Sequence, residues 1–354
     1  MPRSAGTGLV LEFAGGQGSV IAGKAARWAS VLAVAVSLGG YLAPLRAEDA
    51  KPAEAAAEKA PEKSDSDAPP AKYRLAYKFR DDESVFYEVN TDMVVVTRYM
   101  EDKEEARNKT EARKHYRVAK VHPDGSADLE LFIDWVRMSA KLGPNDSGVE
   151  FDSAKPETHR AKFGHIINAI GKPQALMQFS PKGNLLKIHH AAENTAIGEI
   201  PKAQAGQVSG EAHQTFLVIL PEKEIAIGET WKDRFTVQVT VEKNFFKPIK
   251  LMHLYKLESV EDGIAKISMS TSIIDIVNEP AISAQLIQRE IKGVIEFDIE
   301  KGLIVSRHTS CDKEVVAPFG ANTAMQAAHT HVERLAPAPA TAQKDAPAKA
   351  GDSK

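Results

Sequence analysis

His329 and His331 stand one residue apart near the C-terminal end of the chain. On an extended strand, residues i and i+2 point the same way, so these two imidazoles could face one metal ion. On a helix they would diverge. No acidic or cysteine ligand stands beside them, and two ligands fall short of the four that a structural zinc takes. His329 and His331 are therefore the best metal-like pair and a weak candidate, and neither a metal site nor a cofactor is expected. His189-His190 and His308…Cys311 each follow a Lys-Gly pair, Lys182-Gly183 and Lys301-Gly302. On a strand His308 and Cys311 fall on opposite faces, which makes them poor partners for nucleophilic catalysis. They read as an exposed histidine and a core cysteine.

No G-x-S-x-G elbow, H-E-x-x-H pair, P-loop or G-x-G-x-x-G fingerprint is present. Acidic pairs such as Asp81-Asp82 and Glu104-Glu105 sit where turns or exposed tips are expected, and solvated carboxylates need no special role there. Trp135 and Trp231 occupy strand positions and read as core. No catalytic residue is assigned, and the sequence favours a role other than catalysis.

The elements that carry these residues are organised around a stretch that occurs twice. One copy runs from His115 to Glu130, the other from Leu254 to Ser268. Tyr116 matches Tyr255, Val118 matches Leu257, Val121 matches Val260, and Asp124-Gly125 matches Asp262-Gly263. Asp-Gly between alternating apolar runs is a strong hairpin signal, because glycine accepts the positive φ of a tight primed turn. After the first turn, Ala127, Leu129, Leu131, Ile133 and Trp135 share one face. After the second, Ala265, Ile267, Met269, Thr271 and Ile273 do. Two further landmarks recur in the same order, Asp82-Glu83-Ser84-Val85 with Gly228-Glu229-Thr230-Trp231, and Phe179…Lys182-Gly183 with Phe297…Lys301-Gly302. Three matches in one order predict an internal duplication of a β-meander.

Elsewhere along the chain, Val85, Tyr87, Val89, Thr91, Met93 and Val95 form one face of a long strand. Residues 101–114 are almost wholly charged and read as a solvated hairpin tip. Residues 156–169 have helical spacing, with Gly171 as the stop. Residues 208–220 suggest a short helix, residues 279–290 are ambiguous, and residues 322–335 are expected to close the fold as a strand.

The chain has 354 residues, 43% of them apolar, and a formal net charge of −3. Lys24 and Arg27 precede an apolar run from Trp28 to Leu42, and Leu45-Arg46-Ala47 suits cleavage near Ala47. Residues 1–47 thus read as an export signal. The run is shorter than the roughly 20 residues of a membrane helix, so no stable span is expected in the mature chain. Residues 48–72 and 336–354 are rich in Ala, Pro, Glu and Lys and read as a disordered linker and tail. Past the leader the balance is mildly acidic with both signs mixed, which argues against nucleic-acid binding. The single Cys311 excludes an intramolecular disulfide.

The run Leu220-Pro-Glu-Lys-Glu-Ile-Ala-Ile-Gly-Glu-Thr-Trp231, with the two Asp-Gly and two Lys-Gly hairpins and the leader, resembles a group of uncharacterised secreted bacterial proteins in domain-of-unknown-function families. The resemblance covers Tyr73 to Leu335 and implies no active site. At the level of fold alone, the pattern is similar to half-barrel carriers of outer-membrane lipoproteins.

The expected fold is mainly β. Two related antiparallel β-meander halves, 73–220 and 221–335, each form a curled sheet or half-barrel, with one or two short covering helices. The expected protein is exported, to the periplasm or beyond, and binds or carries an apolar or lipid-like ligand. That ligand would sit against Tyr87, Val89, Leu129, Leu131, Phe235 and Val237. The alternatives are a structural or protein-interaction module that displays the charged 101–114 tip, and a hydrolase with an unrecognised site. Nothing in the sequence bears on oligomeric state.

Overall fold

The structure, a computed structural model, describes residues 71–143, 145–155, 160–191, 217–242 and 245–339. The expected leader, most of the linker, most of the tail and most of the helix expected at 208–220 lie outside the described residues. The part of that helix that is described, residues 217–220, is not helical.

Alternating apolar residues produce long strands. β1 (Lys72–Tyr73) opens the fold. The first meander follows as β2 (Ser84–Tyr99), β3 (Asp102–Val121), β4 (Ala127–Leu142), β5 (Val149–Asp152), β6 (Pro173–Phe179) and β7 (Leu185–Ala191). β8 (Ile225–Ala226) pairs with β1 in a separate two-stranded ladder. The second meander is β9 (Thr230–Glu242), β10 (Phe245–Glu261), β11 (Ile264–Ile273), β12 (Lys292–Asp298), β13 (Leu303–Val316) and β14 (Thr323–Ala336). Both meanders belong to one antiparallel twelve-stranded sheet, in the order β7-β6-β4-β3-β2-β14-β13-β12-β11-β10-β9, with β5 paired to β4. They are joined where β14 pairs with β2 along its whole length, from Thr323↔Tyr99 to Ala336↔Phe86. The sheet is not closed into a barrel, and β7 and β9 are its edges. The closing strand expected at 322–335 is β14.

Two short helices accompany the sheet among the described residues. α1 (Arg160–Ala169) lies where helical spacing placed it, and Phe163 stacks on Phe151 of β5 at 4.6 Å. α2 (Pro280–Leu286) resolves the ambiguous segment and buries Ile282 and Leu286. Neither is long and apolar enough to cross a membrane.

Two expectations are corrected. Residues 101–114 are not a hairpin tip. The turn is confined to Met100 and Glu101, and the charges line β3, paired to β2 from Asp102 onward. Opposite signs on neighbouring positions make this regular strand tolerable, as in Lys109–Glu111 at 2.7 Å and Arg113–Glu88 at 2.8 Å. The face predicted for β4 is also broken. Arg113 pairs with Trp135 and Lys114 with Ile133, so Asp134 is an extra, bulged residue. Below the bulge Leu129 and Leu131 point inward; above it Val136 and Met138 do, and Ile133 and Trp135 are only half-buried. Asp134 is turned to His115, whose Nδ1 lies 2.7 Å from its carboxylate.

The sheet has two distinct ends. At its lower end lie the β3–β4, β6–β7, β10–β11 and β12–β13 turns, at Gly125, Gly183, Gly263 and Gly302, all with positive φ. Residues 74–79 and 217–220 run across these turns as a strap. The Tyr77 amide donates to Pro181 O at 2.7 Å, the Lys78 amide to Gly302 O at 3.1 Å and the Leu220 amide to Lys182 O at 2.9 Å. The Tyr77 hydroxyl donates to Val218 O and accepts from Val218 N. The strap's Leu75, Tyr77, Leu217 and Leu220 close a large apolar cluster with Leu129, Phe179, Leu257 and Phe297. A smaller cluster of Val237, Val239, Ile249 and Leu251 packs on α2, nearer the upper end.

Candidate functional site

Side chains on a strand alternate between faces, so pairing register decides which residues meet. On the inner face, which carries both apolar clusters, the register also lines up polar groups. Asp233 of β9 is opposite His253 of β10, which is opposite Thr271 of β11. Thr309 of β13 is opposite His331 of β14, which is opposite Thr91 of β2, then Thr110 of β3. One step below, Arg307 is opposite Glu333. A polar row therefore separates the two apolar clusters.

The members of this row hold one another. The His331 Nδ1 and Thr91 Oγ1 are 3.0 Å apart, and the His253 Nδ1 and Thr271 Oγ1 2.8 Å apart. Glu333 is fully buried between two cations. Its carboxylate lies 2.7 Å from Lys114 Nζ and accepts a hydrogen bond from Arg307. Beside them the Tyr87 hydroxyl donates to Ile304 O at 3.1 Å.

Burial sets the charge states. It pulls His331 down to about 3, assisted by the Arg307 charge, so this imidazole is neutral at pH 7. It lowers His329 as well. It raises Asp233 to about 6. For Glu333 burial alone would raise the pKa, but the Arg307 and Lys114 charges outweigh it and hold the carboxyl down to about 2. His329 Nδ1 and Asp233 Oδ2 are buried without a hydrogen-bond partner among the described residues. Two buried polar atoms here are thus left to accept or donate.

The histidine pair is placed on one face of a strand, as the spacing predicts. His329 and His331 share the inner face with ring centroids 6.4 Å apart, but the Nδ1 of His331 is engaged by Thr91. Among the described residues no group of three His, Cys, Asp or Glu side chains is arranged to hold a metal. Cys311 is buried, which raises its thiol, and His308 is exposed on the other face. His189 meets Asp128 at 3.0 Å, and His122 approaches the other oxygen of the same carboxylate at 3.1 Å. The His190 side chain lies outside the described residues.

The six residues expected to form one ligand face are divided. Tyr87, Leu129 and Leu131 belong to the large cluster, and Val237 to the small one with Phe235 packed against it. Val89 is half-buried and belongs to neither cluster, opposite Glu333. A hollow of about 400 Å³, lined by Asp92, Lys292, Ser310, Asp312, His329 and Thr330 among others, touches none of the six. Trp231 stacks on Tyr255 at 5.2 Å and donates from Nε1 to Ile219 O, as a packing residue would. Trp135 donates to Asp152 at 2.9 Å.

Sequence reasoning missed Asp233, His253, Arg307, Glu333 and Lys114. Asp233 had a signal, because it interrupts the inward series Trp231, Phe235, Val237 with a carboxylate. Arg307 and Glu333 had none, since each sits among other polar residues.

Residues 124–304 match the model of a family of unknown function, DUF6263. No curated protein matches the chain. Among solved structures, one titled for lipid–protein interactions in lipovitellin is similar at a TM-score of 0.38 and 15% identity, over 74% of this chain and 26% of that one. The chain thus spans about a quarter of the length of that protein.

Proposed function

The chain belongs to the DUF6263 family, and from that premise we propose that it is a non-catalytic binder or carrier of an apolar, lipid-like ligand held on the inner face of its open sheet. The observation that carries this reading is the mismatch between the sheet and its cover. Twelve strands present one apolar face, and the described helices that cover it have only 10 and 7 residues. The two clusters are packed, but Val89 and Met93 of the central strand β2 belong to neither and are only half-buried. An apolar chain laid there would gain about 25 cal/mol per Å² of surface removed from water. The adjacent row offers partly buried hydrogen-bonding groups, the neutral His331 and Thr91 among them, which suit an ester, hydroxyl or acid head. The leader expected at 1–47 supports a place of work in the cell envelope.

Native mass spectrometry of the mature chain, purified from the envelope without detergent, tests the proposal. The expected result is extra mass that organic extraction removes. A bare polypeptide mass overturns it.

A further inference from the structure

Thirteen large apolar side chains are exposed among the described residues, and nine of them lie at one end of the sheet. This is the upper end, where β2 turns into β3, β13 into β14, and β9 into β10. Ile276 is 84% exposed, Val316 72%, Met100 67%, Phe245 60% and Tyr99 52%. The opposite end is closed by the strap; here turns carry bare Phe, Ile, Val and Met into solvent. From the β9–β10 turn to the β2–β3 turn is six strand spacings, roughly 29 Å at about 4.8 Å each.

We propose that this rim docks the protein on a lipid bilayer, its apolar tips entering the interface of an electrically neutral membrane. Three features favour a bilayer over a protein partner. First, the side chains stand on separate turns along a line rather than in one patch. A specific protein interface buries about 1,200–2,000 Å² of closely fitted surface, which a row of spaced tips does not offer. A fluid apolar layer accepts spaced tips without matching their shape. Second, several of the charges around the rim are paired within the chain. Arg98 pairs with Glu314 at 3.4 Å, Lys313 with Glu290 at 3.3 Å and Lys247 with Glu279 at 3.5 Å. Elsewhere on the rim Glu101, Asp102 and Glu104 are exposed beside Lys103, and no cluster of cations there would select an anionic partner. Third, Phe245 and Tyr99 are aromatics, which suit the membrane–water boundary, and the long stems of Lys247 and Arg98 can keep their charges among headgroups while the tips go deeper. This inference stands apart from the ligand reading, since an empty sheet would dock equally well.

The test is flotation of the full chain with phosphatidylcholine vesicles, with and without added phosphatidylglycerol. The wild-type protein is expected to float with both compositions and to remain bound at high salt. A combined variant, Met100→Ser, Phe245→Ser, Ile276→Ser and Val316→Ser, should lose at least about tenfold in partitioning, because binding scales with the apolar area inserted. Its melting temperature should stay near that of the wild type, since these side chains are exposed. The proposal is overturned if the wild type does not float, if it needs anionic lipid, or if the variant floats equally. It is also overturned if sedimentation without lipid shows the same substitutions dissolving a dimer, which would make the rim an interface between copies of the chain.

Discussion

At the lower end of the sheet the hairpin turns are tied down by residues 74–79 and 217–220, and at the upper end the turns stand free with apolar tips. The contrast is one of backbone fit. Gly183 and Gly302 have positive φ, and the strap passes so close that a Cβ at Gly183 would lie 2.4 Å from Val218 O and one at Gly302 2.5 Å from Lys78 N. Main chain packs on main chain there, water is excluded, and Leu75, Leu129 and Phe297 are fully buried. No such strap crosses the upper end among the described residues. One end of the same sheet is therefore strapped and packed, and the other exposes apolar side chains among the described residues.

Four measurements sharpen or break that contrast. The largest effect is expected from Phe297→Ala, which empties the lower cluster where the ring meets Tyr77 edge-on at 5.5 Å. Chemical denaturation should show a loss of about 3–5 kcal/mol. A loss under about 1 kcal/mol would mean that the lower end is not the stabilising one. Gly183→Ala should come next, costing about 2 kcal/mol or more, because it adds a backbone clash to a left-handed φ. A neutral result would show that the strap is not seated on that turn.

The third concerns the polar row between the ends. Asp233 has a folded pKa of about 6, above its ordinary value of 3.8. The stability linked to it is fully present below about pH 4 and is lost as pH rises through 6. Asp233→Asn should abolish that loss, so its stability relative to the wild type should improve from pH 4 to pH 8. Identical pH profiles for the two proteins would contradict a buried Asp233. Glu333 works in the opposite sense, its contribution present above about pH 4.5 and lost as pH falls toward 2. The smallest effect is expected at the rim, where Phe245→Ser should change stability by no more than about 0.5 kcal/mol. A larger loss would mean that Phe245 is packed, and the two ends would no longer differ in kind.

Much of the fold was legible because strands and tight turns are local. Alternation placed β2, β4, β9 and β11, and Asp-Gly and Lys-Gly placed the lower turns. The 101–114 segment misled because charge density was read as exposure of a tip, whereas opposite charges on a regular strand can pair across it. The β4 face misled because a bulge at Asp134 shifts the alternation by one residue, and no residue type announces a bulge. The histidine pair was read in the right orientation, but its neighbours were not legible. His331 meets Thr91 across 240 positions of sequence, and Glu333 meets Lys114 across more than 200.

The sequence by itself determined the class of structure, the order of hairpins, the shared direction of His329 and His331, and the lack of any known catalytic motif. These follow from local periodicity and turn chemistry, which act over a few residues. Tertiary structure alone decided that the two meanders share one sheet through β14 and β2, that a polar row divides the apolar face, and that exposed apolar residues from five separate segments collect at one end. Those outcomes depend on strand order and register, which are set by the burial of the whole sheet rather than by any stretch of it.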